Sequence, residues 1–258
     1  MRATGGGGFN DDEIAAIERL QPRLAVAAKA AALVQIAGDV AAAYLGADAG
    51  RRVLGGEVDR GNVDVLNAVL FFCDLRGFTA LADGMDRHRL IALLDDYFDA
   101  IAGPVADHGG QVLKFMGDGL LATFSLDDGE PATTCGNALN AAVAALAAVE
   151  RINIQRRAAG EPVMELDIAL HQGEVVYGNV GARDRLDFTV IGPAVNEASR
   201  MEQLCDRLGV SLVLSESVVA ASGPAAAGQF ESLGRHPLRG VGEARELFTL
   251  KRGGQVSG

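Results

Sequence analysis

Cysteine is scarce in this chain. The three present, Cys73, Cys135 and Cys205, have neither the even-numbered framework of a disulfide-stapled domain nor zinc spacing, which points to a reducing, cytoplasmic setting. Basic residues are also in deficit: 23 Lys and Arg face 34 Asp and Glu, for a net charge of −11. That balance argues against general binding to nucleic acid or to an anionic membrane, both of which attract basic surfaces. It leaves room for a nucleotide held by a few local cations and a divalent ion. No uncharged apolar run approaches the ~18 residues needed to cross a bilayer, and the Met1-Arg2-Ala3-Thr4 start lacks the apolar centre of a signal peptide. A soluble protein is expected. Two common catalytic signatures are missing, the Gly-x-x-x-x-Gly-Lys-Ser/Thr phosphate loop and the Gly-x-Ser-x-Gly nucleophile elbow. His108 and His171 have no second His or Cys at ligand spacing, so both read as ordinary core or surface histidines.

What is present is enough apolar character, 49% of 258 residues, for a sizeable core. Residues 1–10 hold four consecutive glycines and read as a flexible tail, and residues 253–258 as another. Residues 11–45 are rich in Ala and Leu. Ile17, Leu20, Leu24, Ala27, Ala31, Val34, Ala41 and Leu45 recur at steps near three and four, the seam of a coiled coil. Asp11 or Asp12 is expected to cap this helix, with an interruption at Gly38 and a kink at Pro22. The alternative is a helix packed on its own domain. Residues 46–62 read as a Gly-, Arg- and Asp-rich connector. The division is therefore a helical linker or dimerisation segment at 11–61 and a main domain at 62–252.

The main domain is organised around residues 68–124. Six apolar residues, Ala68 to Cys73, lead into Asp74, as in a strand buried on both faces. Residues 86–108 read as an amphipathic helix capped by Asp86, which Pro104 should kink or end early. Two further strands, 111–116 and 120–124, flank Met116-Gly117-Asp118-Gly119, a hairpin turn. If these strands are neighbours, Asp74 and Asp118 project from adjacent strand ends into one oxygen-rich site suited to Mg²⁺. Asp beside Gly is also ordinary turn chemistry. Lys114 alternates with Leu113 and Phe115 and so points away from that packed pair, on a strand leading to the proposed site.

The remaining elements are a long Ala-rich helix at 131–157, a strand at 164–180 broken at Gly173, and a strand at 186–191. A helix follows at 195–208, carrying Asn196, Ser199 and Arg200 on one side, then short strands at 210–214, 230–238 and 246–250. Alternation of strands and long helices in this order gives an α+β fold with helices packed on a mostly antiparallel sheet.

Three motifs, in order, resemble the catalytic domain of class III nucleotidyl cyclases, the adenylyl and guanylyl cyclase family. They are Phe72-Cys73-Asp74-Leu75-Arg76-Gly77-Phe78-Thr79, Lys114-Phe115-Met116-Gly117-Asp118, and the run from Leu186 through Asn196 and Arg200 to Glu202. The resemblance spans about 62–250. It implies a ferredoxin-like cyclase fold that dimerises head to tail, active sites at the dimer interface, ATP as substrate, and two Mg²⁺ or Mn²⁺ ions per site. By position, Asp74 and Asp118, 44 residues apart, match the metal-binding aspartates, helped by the Leu75 carbonyl. Phe78 and Thr79 fall at the substrate. Lys114 matches the purine-selecting lysine, where guanylyl members usually carry an acidic residue. Its usual Asp partner is replaced here by Thr189, as in a threonine-containing subgroup of adenylyl cyclases. Threonine can accept from the adenine amino group, but its hydroxyl can also donate to guanine O6. Asn196 and Arg200 match the pair that orients ribose and stabilises the transition state, and Arg183 and Arg239 match triphosphate-binding cations. The expected function is an adenylyl cyclase making cyclic AMP and pyrophosphate. The alternatives are a guanylyl cyclase and a silent nucleotide-binding module. An upstream sensor domain in a longer chain is a further expectation.

Overall fold

The computed structural model describes residues 9–127, 129–183, 185–223 and 226–251, which fall into two compact units, 1–57 and 58–258. Both glycine-rich tails lie largely outside the described residues.

The first unit is two helices. α1 (Asp11–Leu45) is continuous through both Pro22 and Gly38, so the expected interruption at Gly38 is absent. Its cap is Asn10 rather than Asp11 or Asp12. The Asn10 side chain accepts from the Glu13 N–H at 2.9 Å, and the Glu13 carboxylate accepts from the Asn10 N–H at 3.0 Å, a reciprocal capping box. None of its residues is buried, and Ile17, Leu20, Leu24 and Val34 are all exposed. The supposed connector is not irregular: it contains α2 (Ala47–Leu54). The chain reverses at Gly46 (φ 85°), and Gly50 lies so close to α1 that a Cβ there would meet the Ala41 carbonyl carbon at 2.8 Å.

The second unit is built on a sheet of β1 (Val63–Arg76), β2 (Gln111–Met116), β3 (Gly119–Ser125), β4 (Glu165–Ala182), β5 (Arg185–Ile191), β6 (Leu212–Ser215), β7 (Phe230–His236) and β8 (Arg245–Leu250). Their order is β2-β3-β1-β4-β6-β8-β7, with β5 paired to β4. Every pairing is antiparallel except β4 with β6. The helices are α3 (Phe78–Ala82), α4 (Arg87–Asp107), α5 (Pro131–Ala158), α6 (Pro193–Glu202), α7 (Cys205–Leu208) and α8 (Glu216–Ala221).

Both faces of the sheet are covered, which is why β1 reads as an unbroken apolar run. Val69, Phe71, Cys73 and Leu75 face a core shared with Tyr97 and Ile101 of α4 and the alanines of α5. The opposite face packs Ala169 and Val213 under Met201, Leu204 and Cys205. Five alanines of α5 are buried (Ala138, Ala141, Ala142, Ala145, Ala148), so this helix sits close to its neighbours without large side chains. Between α4 and α5 a closed polar network is fully buried. Tyr97 donates to Asn153 at 2.5 Å and accepts from the Met164 N–H at 3.2 Å, while Asn153 donates to the Met164 carbonyl at 2.8 Å.

Three local expectations are corrected. Pro104 does not end α4, and the helix runs on to Asp107. Gly173 does not break β4; a Cβ there would sit 2.6 Å from the Ala194 Cβ, so the glycine admits the start of α6 against the strand. The single helix expected at 195–208 is two pieces, α6 and α7, separated at Gln203 and Leu204. Two helices, α1 and α5, are long and apolar enough by length and composition to cross a membrane, contrary to the expectation that no segment is. In α5 that character is explained by burial in the core.

Candidate active site

The sheet order puts β1 between β3 and β4, with Cys73 opposite Leu120. Asp74, one step beyond, therefore lies beside the start of β3. The hairpin joining β2 to β3 turns through Gly117 and Asp118, where Gly117 adopts φ 68°, and closes on the Met116–Gly119 pair. The result brings Asp74 and Asp118 side by side. A Cβ on Gly119 would stand 2.7 Å from the Cys73 carbonyl oxygen and 3.0 Å from Asp74 Oδ1, so only glycine leaves this corner intact.

The charges here are unbalanced. Burial, the neighbouring Asp118 charge and a hydrogen bond with Asp118 push the Asp74 carboxyl up to about 6, although the Leu75 N–H partly opposes this. A third carboxyl, Glu202 at the end of α6, is buried. Its burial and the charges of Asp74, Asp167 and Asp118 push it up to about 8. Asp167, opposite Asp74 on β4, is held by Arg76, which donates through Nε at 2.9 Å and Nη2 at 2.5 Å. Arg76 also pairs with Glu165 and Asp206, at 2.9 and 3.3 Å.

Burial is the largest cause of both shifts and the crowded acids add to it, so a bound cation would favour the ionised carboxylates here. Among the described residues no three His, Cys, Asp or Glu side chains form a complete metal shell. A hard dication needs none, because it takes one or two carboxylates and completes its shell with water and phosphate oxygens. The donor set at Asp74 and Asp118 fits Mg²⁺ or Mn²⁺ on those grounds. Leu75 follows in β1 with its side chain in the core. Gly77, at φ 90°, turns the chain into α3, which carries Phe78 and Thr79.

The other candidate residues lie mainly on β2, β5 and α6. Lys114, next to a bulge in β2, forms an ion pair with Asp187 of β5. Thr189, two residues further along β5, lies on the same side of the strand as Asp187. Phe188, between them, points the other way and packs edge-on against Tyr177, with ring centroids 4.7 Å apart. Phe115 stacks on Phe98 at 4.7 Å yet stays half exposed, so the expected packed partner of Leu113 is only partly covered.

Asn196 and Arg200 lie one turn apart on α6, whose other face buries Ala194, Ala198 and Met201. Asn196 donates to the Gly192 carbonyl at 3.4 Å. Among the described residues Arg200 makes no hydrogen bond or ion pair. Its guanidinium lies over Gly240, 3.6 Å from where a Cβ would be, beside the turn that holds Arg239. Arg183 follows the end of β4 and is exposed. Among the described residues, no hydrogen bond or ion pair links Asp74 or Asp118 to Lys114, Thr189, Asn196 or Arg200. One chain thus presents a carboxylate corner, a Lys114–Asp187 pair beside Thr189, and an arginine that makes no hydrogen bond or ion pair among the described residues.

Sequence reasoning missed Glu202, Asp167 and Asp187. A signal existed for the first two: each is an acidic residue placed on an otherwise apolar, buried pattern.

Paired acids at adjacent strand ends of a mostly antiparallel sheet, with a helix carrying Asn196, Arg200 and the buried Glu202 beside it, define an α+β domain with an acidic corner. Residues 64–251 match the family described as the adenylate and guanylate cyclase catalytic domain, and the chain belongs to that family. It is 36% identical to an adenylate cyclase of Anabaena cylindrica over 63% of this chain and 32% of that protein. It is 33% identical to adenylate cyclase 1 of Rhizobium meliloti over 69% of this chain and 26% of that one. The chain therefore spans about a third or less of the length of these relatives. The crystal structure of the adenylyl cyclase CyaB from P. aeruginosa superposes with a TM-score of 0.66 at 23% identity, covering 76% of this chain and all of that one, so the fold is the cyclase fold.

Proposed function

We propose that residues 62–252 form an adenylyl cyclase catalytic domain that converts ATP to 3′,5′-cyclic AMP and pyrophosphate in the cytoplasm. The observation that carries this reading is the convergence of Asp74 and Asp118, electrostatically short of a cation, in a chain of the cyclase family. The ribose 3′-oxygen attacks the α-phosphorus, the bond to the β-phosphate oxygen breaks, and the 3′-hydroxyl proton is released. Such a displacement asks little covalent chemistry of the protein, so positioning and charge stabilisation dominate.

Asp74 and Asp118, with the Leu75 carbonyl, would hold two divalent ions, whose chemistry when bound is to acidify the 3′-hydroxyl and to neutralise the leaving pyrophosphate. Asn196 orients the ribose. Arg200, which makes no ion pair among the described residues, meets the charge that builds on the α-phosphate, a contact stronger in the transition state than in the ground state. Arg183 and Arg239 hold the triphosphate, Phe78 and Thr79 line it, and Lys114 and Thr189 read the base. The lack, among the described residues, of any hydrogen bond or ion pair between the two groups fits a site shared across a head-to-tail homodimer. The acids come from one protomer and the base-, ribose- and phosphate-reading residues from the other, repeated twice by symmetry. Residues 11–61 act as the dimerising helical segment, whose exposed apolar residues suit association with a second copy, and a sensor domain precedes it in a longer protein.

The deciding assay incubates the purified chain with ATP or GTP, each with Mg²⁺ or Mn²⁺, and measures the cyclic product. Cyclic AMP from ATP is expected. No product from either nucleotide would make the chain a nucleotide-binding module instead. A guanylyl cyclase is the second reading, because the Thr189 hydroxyl can donate to guanine O6 as well as accept from adenine. Cyclic GMP from GTP in excess of cyclic AMP from ATP would establish it.

A further inference from the structure

The Lys114–Asp187 ion pair was not anticipated from the motif, which assigns base recognition to Lys114 and Thr189. The two strands concerned are not neighbours: β2 pairs with β3, and β5 with β4. The two side chains bridge them, and both are substantially exposed. A pair this exposed adds little to stability. Its consequence is geometric, because a lysine ammonium on a four-carbon stem is otherwise free to swing.

The hydrogen-bond inventory sharpens the point. Lysine only donates, a carboxylate only accepts, and a threonine hydroxyl does either. Adenine offers an acceptor at N1 beside a donor at its 6-amino group, and guanine offers the reverse, a donor at N1 beside an acceptor at O6. Thr189 cannot tell these edges apart. Discrimination then depends on keeping the lysine donor at one fixed point relative to the hydroxyl. Asp187, on the same side of β5 as Thr189 and two residues away, is the group that fixes it.

We infer that Asp187 is a specificity-determining positioning residue: it anchors Lys114 beside Thr189 so that the pair matches adenine rather than guanine. The carboxylate occupies one of the three ammonium donors and leaves the others for the base. The inference rests on the adenylyl cyclase reading above.

The test compares the wild-type chain with Asp187→Asn, Asp187→Glu, Lys114→Met and the double variant. Kinetics with ATP and GTP are measured alongside binding of non-cyclisable analogues of both. Freeing one long side chain should raise the KM for ATP about 3- to 10-fold with kcat little changed, and narrow the ATP-to-GTP preference by a similar factor. Asp187→Glu should restore most of the preference. In the Lys114→Met background, Asp187→Asn should change nothing further, because the two residues act as a unit. An unchanged preference in Asp187→Asn, or effects that simply add in the double variant, overturns the inference while leaving the cyclase reading standing. Absence of cyclic product in the wild type removes the reading itself. The analogue-binding ratio then still decides whether Asp187 sets purine preference.

Discussion

Replacing Asp74 with asparagine removes a charge from the crowded carboxylate corner while preserving shape and the ability to accept from the Leu75 N–H. In the folded chain this carboxyl is raised from 3.8 to about 6, chiefly by burial and then by Asp118. At about 1.4 kcal/mol per pH unit, that is about 3 kcal/mol against its ionisation. The group is half open to solvent, and screening reduces the usable figure to about 1–1.5 kcal/mol. The sign follows from linkage: a carboxyl whose folded value is raised destabilises the fold as pH climbs from the unfolded value through the folded one. The penalty is small near pH 4, grows through pH 6 and is complete by pH 8. Asp74→Asn should therefore melt about 2–6 °C above the wild type at pH 8 in EDTA, with the gain shrinking as pH falls from 6 towards 4. Added Mg²⁺ or Mn²⁺ should raise the wild-type midpoint and leave the variant nearly unmoved, while cyclase activity is lost. Thermal melts across pH, with and without metal, read all of this. A variant no more stable than the wild type at pH 8, or equally responsive to metal, would refute the claim that this corner is a cation site.

Three further outcomes are expected. Mixing inactive Asp74→Ala with inactive Arg200→Ala chains should restore about a quarter of wild-type activity, since random pairing makes half the dimers mixed, each with one intact site; no recovery at saturating protein would place the site within one chain. Gly119→Ala, whose Cβ would press on the Cys73 carbonyl and Asp74 Oδ1 at 2.7 and 3.0 Å, should cut activity and metal-induced stabilisation together, seen in parallel assays. Tyr97→Phe should cost about 1–3 kcal/mol in urea unfolding by stranding the Met164 N–H and the Asn153 oxygen, with turnover at room temperature preserved.

The meeting of Asp74 and Asp118 was legible because strand ends and turns announce themselves locally. The apolar run into Asp74 and the glycines around Asp118 mark where the chain must stop and turn. Elements failed where a local signal was outvoted. Pro22 and Gly38 are poor helix residues, yet α1 passes through both, because a favourable cap and a long run of alanine and leucine outweigh two weak positions. Gly173 read as a break, but its reason is a neighbour, Ala194, that only the packed structure brings near. The Lys114–Asp187 pair was invisible for the same reason: 73 residues separate its members, and nothing in either strand's pattern specifies the other.

The order of elements, the acidic pair and the family motifs belong to the sequence alone, since periodicity, turn chemistry and residue type are properties of short stretches. Tertiary structure decided what those stretches do to each other. It set β1 against β3 so that two carboxyls share one corner, buried Glu202 and Asp167 beside them, and brought Asp187 to Lys114. Charge interactions depend on distance and on the exclusion of water, and neither exists until the chain is folded.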